Sequence, residues 1–226
     1  MCMDTLQQEI LDAALPNVVF DGWVMDTLRD AAESLGKPRL EADRAFPGGI
    51  MDALNAWTHG VNRQLEATLK EEYNLSSMKI RERIATGVMV KLRSQQAHRE
   101  AVRRALAVYM MPWHAVDGMR SLYDTCDTIW RAAGDTSTDW NFYSKRGLLA
   151  KVYTATLAVW LEDESDNQEE TEAFLYRRIE DVMKIEKAKF RVKETCSKWQ
   201  MPSIFKSNPN RLIRLYWRNK AVWLGC

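Results

Sequence analysis

Apolar side chains recur along this chain at steps of three and four residues, and that spacing constrains the fold more than any other feature. The spacing places apolar residues on one face of an α-helix. The alternation of apolar and polar residues that marks a half-buried strand is nearly absent. The sequence therefore predicts an all-α fold.

Prolines and glycines divide this helical pattern into segments. Pro16, Gly36, Pro47, Pro112 and Gly134 each interrupt the period, as expected for residues that end or break helices. The predicted helices cover residues 5–15, 24–36, 39–46, 48–72, 76–94, 97–111, 113–133, 139–163, 167–197 and 209–224.

Charge is distributed unevenly along the chain. The net charge is +1, but residues 184–226 carry eleven Lys or Arg against two Glu, a net +9 that leaves −8 for the remainder. A basic tail on an acidic body indicates an anionic partner: nucleic acid, a membrane surface or an acidic protein. We therefore separate residues 198–226, a linker and a basic amphipathic helix, from the helical region before them.

The basic tail has two faces on a helical wheel. Arg211, Arg214 and Arg218 share one face, and the other face is apolar and aromatic. Such a helix either contacts an anionic membrane or packs against its own bundle, and the basic charge favours the membrane. The apolar face comprises Leu212, Ile213, Tyr216, Trp217, Trp223 and Leu224.

Residues 21–54 have the layout of a helix-turn-helix, with a short helix between two longer ones. A DNA-reading helix needs cations to neutralise phosphates. Residues 24–46 instead carry four Arg or Lys against five Asp or Glu. The sequence therefore predicts a helix-turn-helix region over residues 1–70 that does not bind DNA.

No catalytic, metal or cofactor site is assembled in the sequence. His59, His98 and His114 lack metal-ligand spacing, and the four cysteines form no CxxC pair. Neither a targeting segment nor an apolar run long enough to span a membrane is found. We therefore expect a non-enzymatic protein of a reducing compartment.

The stretch "WRAAGDTSTDWNFYSKRGLLAKVYTATLAVWLED", residues 130–163, resembles the signature region of a known family. This is the ubiquinone-biosynthesis accessory family, the ninth coenzyme-Q assembly protein and its alphaproteobacterial relatives. Its pattern matches a long series of positions, and the similarity extends over roughly residues 10–195. The matching positions are Trp130, Ala133, Gly134, Asp135, Ser137, Thr138, Asp139, Trp140, Asn141, Phe142, Tyr143 and Arg146.

The resemblance implies a TetR-like bundle of about ten helices with a vestigial helix-turn-helix and a C-terminal amphipathic helix. It further implies a homodimer that binds an isoprenoid quinone precursor or a phospholipid and presents it to the demethoxyubiquinone hydroxylase. The implied location is the bacterial cytoplasm, peripheral on the inner membrane. Eukaryotic members of the family are mitochondrial. A TetR-like transcriptional regulator with a hydrophobic inducer is the alternative.

The resemblance also assigns residues to sites. The partner-binding residues are Trp130, Asp135, Phe142, Tyr143 and Arg146. Residues 71–197 become the lipid-binding and dimerisation domain. The apolar residues of helices 76–94 to 139–161 supply the lipid candidates, each of which is more often plain core: Met89, Leu92, Leu106, Met110, Leu122, Ile129, Leu149, Val152 and Tyr153.

Overall fold

The structure is a computed structural model that describes residues 3–137 and 140–198. Residues Met1–Glu180 form one compact unit, and Asp181–Cys226 form a second. Every regular element in the described residues is helical, which confirms the predicted all-α class. The α-helices are α1 (Met3–Asp21), α2 (Met25–Ser34), α3 (Leu40–Ala45), α4 (Ile50–Glu72), α5 (Ile80–Ser94), α6 (Arg99–Tyr109), α7 (Ala115–Ala132), α8 (Trp140–Glu162) and α9 (Glu169–Lys198).

The first helix corrects the predicted break at Pro16, because α1 continues through this proline to Asp21. Pro16 lies on the exposed face, as does Asp12, whose carbonyl loses its helical donor to the proline ring. Solvent can satisfy that carbonyl. The buried Leu15 and Val18 hold the helix against the core on both sides of the proline.

The helices from α2 to α9 begin and end within four residues of their predicted limits. Much of the difference lies in 3-10 turns such as Gln96–His98 and Pro112–His114, which carry helix-like spacing without α-helical hydrogen bonds. The predicted helix 209–224 lies outside the described residues. The division of residues 1–70 from 71–197 stays a prediction.

Two central helices organise the first unit. The helix α4 packs against α1, α5 and α7, and α7 also packs against α8. Gly87 of α5 lets α7 approach closely, since a Cβ at that position would lie 2.9 Å from Cγ2 of Ile129. The core near the chain start is closed by Trp23, whose indole N–H donates to the carbonyl of Ala101 at 2.9 Å.

Asp163 organises the turn between α8 and α9. Its carboxylate accepts hydrogen bonds from the backbone N–H groups of Ser165 and Thr171, both at 2.8 Å, and from both hydroxyls. Burial alone would raise the pKa of Asp163, but these hydrogen bonds outweigh it and lower the pKa to about 2. The turn therefore aligns the start of α9 with the end of α8.

Candidate partner-binding site

The residues that directly follow α7 are fixed by their backbone conformation and by two hydrogen bonds. Gly134 follows α7 in the left-handed region, with φ of +87°, which glycine adopts without steric cost. The guanidinium of Arg83 donates to the carbonyl of Ala133 at 2.9 Å, and the N–H of Asp135 donates to the carbonyl of Trp130 at 3.0 Å. These contacts fix the backbone of residues 133–135, within the stretch 130–163 that resembles the family.

Asp135 lies at the centre of this connection, with only 4% of its side chain exposed. Its carboxylate accepts from Nζ of Lys145 at 2.7 Å, from Arg146 at 3.2 Å and from the Ser137 hydroxyl at 2.8 Å. Burial alone would raise the pKa of Asp135, but these donors outweigh it and lower the pKa to about 2. The group is therefore ionised throughout the physiological range.

Arg146 projects from α8 into the same cluster, and its side chain is 2% exposed. Its Nε donates to Asp127 of α7 at 2.6 Å, and its Nη1 donates to Asp135 and to the carbonyl of Phe142 at 3.0 Å. Two carboxylates and one carbonyl thus satisfy a buried guanidinium. We call Asp127, Asp135, Lys145 and Arg146 the charged network.

Aromatic rings lie over this network. The Arg146 guanidinium stands 3.3 Å from the centroid of the Phe142 ring, and Phe142 meets Tyr143 edge to face at 5.2 Å. Tyr143 itself is 63% exposed. Trp130 is held against α8, since its indole N–H donates to the carbonyl of Lys145 at 3.2 Å.

Tyr123 of α7 belongs to the same surface although it was not assigned to a site from the sequence. It is 38% exposed, and its pKa is raised first by burial and then by charge on Asp127, with a smaller contribution from Tyr143. The apolar stripe of α7 was visible in the sequence, but its exposed part could not be separated from its buried part. We call Tyr123, Phe142 and Tyr143 the aromatic patch.

The structure thus divides the five predicted partner-binding residues between two layers. Asp135 and Arg146 lie in the charged network beneath the surface and are not free to contact a partner. Tyr143 lies at the surface, and Phe142 and Trp130 are partly exposed. The arrangement offers a partner exposed aromatic area on a rigid base.

The predicted lipid-binding residues are mostly packed core. Met110 departs from that prediction most clearly, because it is 81% exposed on the turn after α6 and cannot line an interior cavity. Leu106 and Leu122 are partly exposed. The remaining six are buried between α5, α7 and α8: Met89, Leu92, Ile129, Leu149, Val152 and Tyr153.

A buried lysine lies within that core. Lys91 is 3% exposed, and its Nζ donates to Oδ1 of Asn62 at 2.7 Å. Within the described residues no carboxylate forms an ion pair with Lys91, and burial lowers its pKa to about 7. Burial also raises the pKa of the neighbouring Cys126 thiol to about 12.

Asn62 also contributes to an open cleft of about 580 Å³ between α1, α4 and α7. The cleft is polar, with His59, Glu66, Asp124 and Arg131 among its lining residues. It is therefore unsuited to an apolar tail. Across residues 3–137 and 140–198, no group of three or more His, Cys, Asp or Glu is placed to hold a metal ion.

The cations of α2 and α3 are engaged by neighbouring carboxylates. Arg29 pairs with Asp43 at 2.7 Å and with Asp26 at 3.0 Å. Arg39 pairs with Asp30, and Arg44 pairs with Glu41 at 2.6 Å. These contacts compete with phosphate for the same guanidinium groups. The helix-turn-helix interpretation itself stays a prediction.

Residues 115–186, which include the charged network and the aromatic patch, match the COQ9 family model. The chain carries a COQ9 domain. This confirms the predicted family resemblance, and the domain begins with α7 and ends within α9.

Two relatives are identical to this chain at about a third of the aligned positions. The human mitochondrial ubiquinone biosynthesis protein COQ9 is 32% identical over 198 residues, which is 85% of this chain and 62% of that protein. The Xenopus tropicalis protein of the same name is 33% identical over 186 residues, covering 80% of this chain and 58% of that protein. The match therefore spans less than two thirds of these relatives.

The solved structure of a TetR transcriptional regulator from Nitrosomonas europaea shares the fold of the COQ9-domain chain. Its TM-score is 0.62 at 19% identity, and the match covers 77% of this chain and 96% of that one. The predicted TetR-like fold is thereby confirmed.

The predicted membrane-contacting residues of 209–224 lie outside the described residues. Among the helices that the structure does describe, none has both the length and the apolar character needed to cross a bilayer.

Proposed function

We propose that this protein is a non-enzymatic accessory protein of ubiquinone biosynthesis. It binds a hydrophobic quinone precursor or a phospholipid and presents it to the demethoxyubiquinone hydroxylase. We further propose that it acts as a homodimer, peripheral on the bacterial inner membrane. Support comes from relatives named ubiquinone biosynthesis proteins and from the COQ9 domain at the candidate site.

The observation that carries the partner-binding role is the layering of the site. An exposed ring costs free energy in water, and a protein-binding hot spot gains affinity when such rings are covered. Here Tyr143 is 63% exposed beside Phe142, whose ring is held by Arg146. Arg146 is paired with Asp127 and Asp135 beneath the rings. A partner can therefore cover the rings without breaking a buried ion pair, which would cost free energy.

The lipid-presenting role is supported by the helices behind the patch. Apolar side chains of α5, α7 and α8 meet there, and covering the area of a lipid tail is favourable by about 25 cal/mol per Å². The residues that the tail would separate include Leu92, Ile129 and Val152, all buried in the described structure.

Lipid extraction tests the cargo directly. We expect the protein purified from a quinone-producing host to yield an isoprenoid or phospholipid on organic extraction, in near-stoichiometric amount by mass spectrometry. An unrelated helical protein purified in the same way serves as the control. A chain that carries no more lipid than this control would contradict the proposal.

Tyr143→Lys tests the partner contact. We expect it to weaken retention of the hydroxylase at least about tenfold, because an exposed ring is replaced by a charge that the partner must desolvate. The melting temperature should stay almost unchanged, since Tyr143 is largely exposed. Pull-down with purified components measures the first effect and thermal unfolding measures the second.

Phe20→Lys is the matched control, because Phe20 is 79% exposed at the end of α1 and lies outside residues 115–186, which match the COQ9 family model. It should retain the hydroxylase normally. Equal loss in both variants, or full retention by Tyr143→Lys, would exclude the patch as the docking site. Phe142→Lys is less informative, because it places a cation against Arg146.

A further inference from the structure

The open cleft between α1, α4 and α7 contains a buried amide with unused hydrogen-bond donors. Asn62 lines the cleft but is only 5% exposed, so it forms part of the cleft floor. Its Oδ1 accepts from Nζ of Lys91 at 2.7 Å and from the Thr125 hydroxyl at 3.5 Å. Its Nδ2 group can donate twice and has no side-chain acceptor among the described residues. The floor therefore offers hydrogen-bond donors to a ligand.

The charges around the cleft favour a neutral ligand. The lining carboxylates are Asp52, Glu66, Asp124 and Asp127, and the lining arginines are Arg63 and Arg131. Asp127 is paired with Arg146 at 2.6 Å, so three carboxylates remain against two arginines. That excess repels an anion such as a phosphate group. The two arginines, and the Lys91 amine behind Asn62, oppose a cation.

We propose that this cleft holds the head of the cargo, a neutral aromatic ring that carries hydroxyl and ether or carbonyl oxygens. The ether or carbonyl oxygens accept from Nδ2 of Asn62, and the hydroxyls donate to Glu66 or Asp124, which form no ion pair within the described residues. The ring covers Leu11 and Ala56, which also line the cleft. The cleft volume of about 580 Å³ lies in the usual range for small-molecule sites.

This inference rests on the proposed function, because it takes the cargo of that function as the ligand. It goes further by selecting the quinone precursor over the phospholipid, whose phosphate the carboxylates of the cleft repel.

Asp127 links the cleft to the partner-binding site. It lines the cleft and accepts from Nε of Arg146 at 2.6 Å. The Arg146 guanidinium in turn stands 3.3 Å from the centroid of the Phe142 ring. One ion pair therefore separates the cleft from the aromatic patch. A ring bound in the cleft lies beside the surface at which we propose that the hydroxylase docks.

The helix α7 also separates the cleft from the apolar core. Thr128 lines the cleft, whereas the next residue, Ile129, lies against Gly87 of α5. The polar cleft and the apolar core thus adjoin across a single helix. A molecule with a polar head and a long apolar tail can use both regions, with the head in the cleft and the tail among α5, α7 and α8.

A probe without a tail tests the head site. We titrate the isotopically labelled full chain with guaiacol, a neutral methoxyphenol, and follow the side-chain amide signal of Asn62 by NMR. The signal should shift with a Kd on the order of 1 mM, the affinity expected for so small a ligand. Glycerol phosphate, which represents a phospholipid head, should bind at least about tenfold more weakly. An Asn62 signal that guaiacol does not shift, or tighter binding of glycerol phosphate, would overturn the proposal.

Ala56→Trp fills the cleft without replacing Asn62 or Lys91. Ala56 is partly exposed and lines the cleft from α4, so an indole at this position occupies the space of the ring. We expect guaiacol binding, and the quinone precursor extracted from the purified protein, to fall at least about tenfold. Ala67→Trp is the matched control, because Ala67 is exposed on the same helix and does not line the cleft. It should behave like the parent, and thermal unfolding confirms that both variants fold.

The two readouts separate this inference from the proposed function. If Ala56→Trp carries as much quinone precursor as the parent, the head lies elsewhere and the inference fails, while the proposed function stands. An extract that contains phospholipid alone overturns the choice of a neutral ring. If guaiacol binds at Asn62 but the parent yields no lipid at all, the proposed function fails and the cleft remains a site for a phenolic ligand.

Discussion

Arg146→Ala is expected to lower the free energy of unfolding by about 3–5 kcal/mol, the range for breaking a buried ion pair by removing one partner. Asp135, with 4% of its side chain exposed, would keep only Lys145 and Ser137 as side-chain donors. Asp127 would lose its contact at 2.6 Å. Phe142 would lose the guanidinium that holds its ring.

Urea unfolding followed by circular dichroism measures this loss. Arg131→Ala is the matched control, because Arg131 is 69% exposed and lies 3.7 Å from the same Asp127. We expect a change of less than about 0.5 kcal/mol for this surface pair. If both arginines prove equally unimportant, the charged network does not support the site. Because Arg146 lies beneath the patch, partner binding should fall only as far as the patch loses order.

Lys91→Met is expected to abolish a pH dependence of stability that the parent shows above pH 7. Lys91 has its pKa lowered to about 7 in the folded protein, while an exposed lysine keeps its usual value near 10.5. Between these values the unfolded chain binds more protons than the folded one, so stability rises as pH increases. The gain approaches about 1.4 kcal/mol per pH unit.

The useful window lies between pH 7 and about 8.5. Above about pH 8.5, Cys126 and Tyr153 lower the stability as pH increases. Burial raises their pKa values, so the unfolded chain releases those protons at lower pH than the folded chain does. Unfolding in urea at several pH values within the window should therefore show a rise of roughly 2 kcal/mol in the parent. Lys91→Met should give a nearly flat profile.

Lys70→Met provides the control, since Lys70 is exposed on α4 and should keep the slope of the parent. A parent profile that is already flat would mean that Lys91 remains charged when buried. The absolute stability of Lys91→Met at pH 7 is a weaker test. The substitution removes the free-energy cost of burying an amine, but it also removes the hydrogen bond to Asn62, and the two effects oppose each other.

In the stretch 130–163, the local sequence predicts which residues form the site, but tertiary contacts decide which of them are exposed. Its residues were identified from the sequence alone, but their division into a charged layer and an aromatic layer was not. Asp135 and Arg146 are as polar as any surface residue, and nothing in their spacing reveals that Arg146 pairs with both Asp135 and Asp127 of α7. Lys145 was missed because lysine is most often a solvated residue.

The helical class was determined by the sequence itself, because the apolar period of three and four residues is a local property that each segment carries alone. Helix limits followed from the same pattern, except at Pro16, where buried neighbours outweighed a local break. Exposure was decided only in the tertiary structure. Along the single apolar stripe of α7, Cys126 and Ile129 are buried, while Met119 and Tyr123 stay exposed. Periodicity states which face of a helix is apolar, but only the packing of α4 and α8 decides how much of that face is covered.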